Sequence, residues 1–181
     1  MKKAVVFIAE GFEEVEALTV VDVLRRGGVE VTMVSVTEDP FVEGAHGIEV
    51  MTNAINEYTV DDEDMIVLPG GLPGAHNLRK SPLVCDAIAK FNDTRKFIGA
   101  ICAAPYILGE LGVLANRKAT CYPGFEKHLK GAEYTARPVE VDGNIITGNG
   151  PSAATKFSLA LLATLAGESV AADVAKGMLI D

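Results

Sequence analysis

The chain has 181 residues, 49% of them hydrophobic, and a formal net charge of −9 at pH 7. That length and apolar content suffice for one full core without disulfide or metal staples. The acidic balance argues against attachment to nucleic acid or anionic membrane, both of which need clustered Lys and Arg, and leaves small neutral molecules as the simpler partners.

In chain order, the apolar run from Ala4 to Ala9 is broken by Glu10, too soon for a signal-peptide core and with no cleavage-like site after it. It reads instead as a strand over Lys3 to Ala9. A helix follows from Glu14 to Arg26, where Ala17, Val20, Val21 and Leu24 recur at i, i+3, i+4 and i+7, and Gly27-Gly28 supplies a left-handed stop. Further strands are predicted at Glu30 to Thr37, Met65 to Leu68 and Phe97 to Cys102, with a helix at Pro82 to Asn92. The Asp142-Gly143 pair between two apolar runs predicts an antiparallel hairpin over Val139 to Val141 and Asn144 to Thr147. Gly150-Pro151 opens a helix through Ala166, and a last short helix spans Glu168 to Lys176. Alternating strands and helices are the signature of an α/β fold, and continuous apolar strands imply burial on both faces of the sheet. No internal repeat or linker divides the chain, and the late apolar run Phe157 to Ala163 is too short to cross a bilayer.

Cys85, Cys102 and Cys121 are widely spaced and odd in number, with no CxxC or Cys/His pairing, so neither a disulfide framework, a metal site nor a cofactor is expected. The pattern suits a reducing, cytoplasmic setting. Cys85 in an amphipathic helix and Cys121 on a strand read as packing thiols. Cys102 stands where the run Phe97 to Ile101 gives way to a helix start, among the small residues Gly99, Ala100, Ala103 and Ala104. One reading is a nucleophile on a strained strand-to-helix corner, its thiol lowered by free helix amides. The other is an ordinary buried cysteine. The local sequence does not separate them.

In a doubly wound sheet, ligands sit at the carboxyl ends of the strands, so the loops after the first, third and fourth strands should converge. The first carries Glu13, Glu14 and Glu16, which disfavour a phosphate there. Glu13 and Glu14 fit as partners of the helix dipole. Glu16 precedes the apolar face by one position, and a carboxyl turned inward there would keep its proton and donate it to a thiolate or an oxidised sulfur. In the second loop Gly70 and Gly71 allow close backbone approach, forming an oxyanion hole with the Ala103 amide; an ordinary turn is the competing reading. His46, in the Gly44 to Gly47 loop, is a candidate for lining a pocket or a subunit contact, whereas His76 and His128 read as surface residues. Tyr122 offers a phenolic donor or simply fills space.

Taken together, Glu-Glu-Val-Glu16, Leu68-Pro-Gly-Gly-Leu-Pro-Gly-Ala75, Ala100-Ile-Cys-Ala-Ala-Pro105 and Gly148-Asn-Gly-Pro-Ser152 resemble the ThiJ/PfpI superfamily, in the branch of the Parkinson-disease-associated deglycase. The likeness spans essentially the whole chain and rests on the order and spacing of four motifs. It implies a single domain over residues 1–181 with a flavodoxin-like three-layer sandwich, a mostly parallel central sheet and a small antiparallel hairpin. It also implies a homodimer, with Cys102 as the reactive cysteine, Glu16 as its protonated glutamate, and Gly70, Gly71 and Ala103 as anion-binding backbone positions. The activities it implies are glutathione-independent conversion of methylglyoxal to lactate and deglycation, or alternatively redox sensing through a Cys102 sulfinate and chaperone-like action. This sequence departs from the resemblance in two places. Ala103 replaces the histidine of the peptidase-like branch, so peptidase activity does not transfer, and Tyr122 stands where the deglycase has a histidine near its cysteine. A glutamine-amidotransferase-like hydrolase would need a late His-x-Glu, and none follows His128.

Overall fold

A computed structural model describes residues 1–180. Six strands form the central sheet: β1 (Lys3–Ile8), β2 (Glu30–Ser35), β5 (Met65–Leu68), β6 (Phe97–Ile101), β9 (Val139–Asp142) and β10 (Ile145–Gly148). Their spatial order is β2-β1-β5-β6-β10-β9, parallel throughout except for the antiparallel edge pair β10–β9. Residue alternation along β1 sorts the core into two layers. Val5 and Phe7 face α2 (Gly74–Lys80), α3 (Pro82–Asp93) and α4 (Pro105–Glu110), while Ala4, Val6 and Ile8 face α1 (Glu14–Arg26) and α5 (Ala154–Ala166). The last helix, α6 (Glu168–Gly177), packs on α5. A strand buried on both sides needs no polar alternation, which is why these runs are continuously apolar.

The predicted apolar face of α1 is confirmed: Ala17, Val20, Val21 and Leu24 are all buried, each large side chain contributing about 1.5–3 kcal/mol by leaving water. Gly28 takes the left-handed conformation at φ 76°, and Val29 N–H returns to Leu24 O to close the helix. The hairpin differs by one residue from the prediction. Asp142 pairs with Ile145, so the turn is Gly143-Asn144, with Gly143 at φ 61°. The helix expected from Gly150 begins instead with a short 3-10 turn at Pro151–Ala153 before α5.

Composition gave no warning of the hairpin β3 (Phe41–Glu43) and β4 (Glu49–Met51), or of the two-residue parallel pair β7 (Lys118–Ala119) and β8 (Glu133–Tyr134). All are too short for periodicity to register. Among the described residues, no helix is long and apolar enough to cross a membrane.

Candidate active site

The carboxyl ends of β1, β5 and β6 bring the three loops together. At the end of β6 the chain turns so sharply that Cys102 sits at φ 63°, in the left-handed region that a side chain ordinarily avoids. Such a residue costs about 1–3 kcal/mol and persists only where its surroundings over-determine it. They do so here: Cys102 N–H donates to Gly148 O at 2.9 Å, Cys102 O accepts from Tyr122 N–H at 2.8 Å, and Ala104 N–H returns to Ile101 O at 3.1 Å. Pro105 then opens α4, where its missing N–H leaves nothing unsatisfied.

Glu16 lies in the first turn of α1 on the sheet side and has no solvent exposure. Its Oε2 accepts the Gly70 N–H at 2.8 Å, while Oε1 is buried without a hydrogen-bond partner. Burial is the main cause that lifts the Glu16 carboxyl to about 7, outweighing the Gly70 bond. Gly70 is the spacer that lets acid and thiol meet. A Cβ at that position would lie 2.6 Å from Cys102 Cβ and 2.7 Å from Glu16 Oε2, so any side chain would part them.

The thiol corrects one expectation. Cys102 is 8% exposed and, by burial first and the Glu16 carboxylate second, its thiol is pushed up to about 12. The helix start does not lower it below the ordinary range, because α4 has only six residues and the sulfur sits in a dry corner beside an acid. The Gly71 and Ala103 amides do pull the other way. Glu16 is thus the stronger acid of the two, and once it ionises its charge helps to keep the proton on the Cys102 sulfur.

The remaining candidates fall into three groups. Gly71, at φ 87°, and Ala103 turn their amides to Cys102, whereas the Gly70 amide is occupied by Glu16 and is not free for an anion. Tyr122 is half exposed; its backbone is tied to Cys102, and its ring lies over Gly150, whose Cβ would meet Tyr122 Cδ2 at 3.1 Å. His46 is brought not to the cysteine but to the first turn of α1. There its backbone N–H and Nδ1 lie 2.7 and 2.8 Å from the two oxygens of Glu14. Glu13, Glu14 and His46 bring ligand-type atoms within 4.8 Å of one another, and the contacts they make strap the β3–β4 hairpin to the helix. His76 and His128 flank Tyr106 on the other layer, with His76 Nδ1 3.1 Å from the phenol oxygen. Cys85 is half-buried beside Arg79, and Cys121 is buried.

Glu14, a helix-dipole partner by its place in the first turn, is buried as well, at 4% exposure. The signal was present, since Glu14, Ala17, Val21 and Leu24 share one helical stripe. Glu13 also acts through its backbone, donating its N–H to Gly70 O at 3.0 Å and so locking the glycine loop to α1. Backbone roles of this kind leave no trace in side-chain identity.

The profile of the DJ-1/PfpI family matches residues 2–164. The chain belongs to that family. Drosophila melanogaster dj-1beta is 35% identical over 99% of this chain and 97% of its own length. DJ-1 homolog B of Arabidopsis thaliana is 38% identical over 96% of this chain but only 40% of its own length, and homolog A is matched over 47%, so this DJ-1/PfpI chain spans less than half of these plant relatives. A Caenorhabditis elegans relative named glutathione-independent glyoxalase is 32% identical over 87% of this chain and 85% of its own. Among solved structures, a cysteine-to-alanine mutant of a Salmonella typhimurium DJ-1 superfamily protein superposes with a TM-score of 0.95 at 33% identity over 100% of both chains. Toxoplasma gondii DJ-1, described as oxidized, gives 0.89 at 33% identity over 99% of each chain.

Proposed function

We propose that this DJ-1/PfpI protein is a cysteine-dependent enzyme for small reactive carbonyls, converting methylglyoxal to lactate without glutathione. The observation that carries the reading is the Cys102–Glu16 pair, a thiol on a strained corner against a fully buried carboxyl lifted to about 7. The name of the worm relative supports the substrate class.

In the singly ionised pair, the Glu16 carboxylate takes the Cys102 proton as the sulfur adds to the aldehyde carbon of methylglyoxal, forming a C–S bond. The resulting oxyanion is held by the Gly71 and Ala103 amides and takes the proton of Glu16. Glu16, now a carboxylate, removes the hydrogen from the former aldehyde carbon and returns it to the neighbouring ketone carbon, while the hydroxyl proton on the first carbon passes to the oxygen of the second. The first carbon is thereby oxidised to a thioester and the second reduced to an alcohol, with no external redox partner. Water then cleaves the C–S bond, releasing lactate and restoring the thiol. Wild-type protein should form lactate from methylglyoxal, and Cys102→Ala should reduce kcat by about a thousandfold or more. Equal turnover by the two proteins would end this reading.

A second reading shares the sulfur. Glu16 and the Gly71 and Ala103 amides form a polar cradle suited to the oxygens of a Cys102 sulfinate, making the protein an oxidative-stress sensor. The oxidized Toxoplasma relative supports it. Mass spectrometry after mild peroxide decides: the sensor requires Cys102 to gain two oxygens first, and prior oxidation of the more accessible Cys85 defeats it. Under either reading we propose a homodimer, which light scattering at micromolar concentration tests.

A further inference from the structure

At the amino ends of β1 and β2, opposite the cysteine, a polar cavity of about 220 Å³ is lined by Lys3, Glu30, Thr32, Tyr58, Asp62 and Glu63. Strand register puts Lys3 beside Glu30, and the 58–63 segment covers them. Nothing in the proposed reaction uses this place.

Its charges are unevenly matched. Lys3 Nζ is paired with Asp62 Oδ2 at 2.6 Å and also feels the charges of Glu30 and Glu63, but among the described residues neither of these two makes an ion pair, leaving one cation to three carboxyl groups. Glu63 is 96% removed from solvent by its 4% exposure, and only one of its oxygens is served: Tyr58 O–H donates to Oε1, and Oε2 has no hydrogen-bond partner. Tyr58 is held in its neutral, donating form, its phenol raised by burial first and by the neighbouring Glu63 next. A buried carboxylate oxygen with no donor is costly and calls for one from outside the chain.

We propose that this cavity binds a small organic cation, an alkylammonium or guanidinium group, which donates to Glu63 and is balanced by Glu30. A metal ion fits the site poorly. Among the described residues the donors drawn within 4.8 Å are those of Glu13, Glu14 and His46, and the carboxylates lining this cavity are not. The volume equals that of roughly seven waters at about 30 Å³ each, so the site takes a short amine and not a drug-sized molecule.

The test is titration of the full chain with 1,4-diaminobutane, followed by amide chemical shifts and calorimetry, with 1,4-butanediol as the neutral control. Saturable shifts should concentrate at Lys3, Thr32 and residues 58–63, and the diol should cause none. Glu63→Gln should weaken binding at least tenfold while preserving an acceptor for Tyr58. Glu30→Gln, at an exposed rim position, should weaken it about threefold and keeps the test decisive if Glu63→Gln does not fold. The proposal is overturned if shifts spread over the acidic surface without saturating, if the diol binds equally well, or if both variants retain wild-type affinity.

Discussion

Replacing Glu16 by Gln tests the acid–thiol pair through stability as well as catalysis. Burial raises the carboxyl from 4.5 to about 7, which at about 1.4 kcal/mol per pKa unit amounts to roughly 3 kcal/mol. An acid held neutral by its surroundings binds its proton more tightly folded than unfolded. Its contribution is therefore complete below pH 4.5 and lost as pH rises to about 7, after which the folded protein carries a buried charge. Gln has the same shape, accepts the Gly70 N–H in the same way and does not titrate. Urea unfolding of wild type and Glu16→Gln at half-unit steps from pH 4 to 8 should give stability differences that change by about 3 kcal/mol between pH 4.5 and 7, in favour of the variant at high pH. Glu16→Gln should also bring the Cys102 thiol down from about 12 in a thiolate absorbance titration, because the Glu16 charge is one of the causes that raise it. Parallel stability curves for the two proteins through this window would refute the raised carboxyl at Glu16.

Gly70→Ala should lower stability by about 1–3 kcal/mol and abolish lactate formation together, since the added methyl would sit 2.6 Å from Cys102 Cβ; thermal melts with the activity assay would show both losses. Tyr122→His places an imidazole on the backbone that donates to Cys102 O at 2.8 Å, and should raise kcat for methylglyoxal about tenfold without changing the melting temperature. In the strap between the β3–β4 hairpin and α1, Glu14 is held below its usual 4.5 and His46 above its usual 6.5. The Glu14 contribution is lost as pH falls through its lowered value and the His46 contribution as pH rises through its raised one. His46→Ala should accordingly cost most between pH 4.5 and 6.5, as denaturant midpoints across that range would show.

Long apolar elements were legible in the sequence because burial imposes a period on them. β5 has the bounds its apolar run indicated, Met65–Leu68, and α1 those its helical stripe and Gly28 required, Glu14–Arg26. Even the inward turn of Glu16 was written there, one position ahead of the stripe. The hairpin over residues 41–51 was not, because three-residue strands hold too few side chains to show alternation and are fixed by contacts distant in sequence, such as Phe12 with Gly44.

Residue order determined the layered α/β architecture, the family, and which thiol occupies the strand-to-helix corner, since each follows from local pattern and spacing. The state of that thiol was decided only in three dimensions. Chain-local reasoning gives Cys102 a helix start that lowers it, whereas packing adds a dry environment and a carboxyl from residue 16, and these raise it to about 12. Desolvation and charge coupling depend on what surrounds a group in space, and at Cys102 those surroundings arrive from α1 and the Gly70 loop, both far away along the chain.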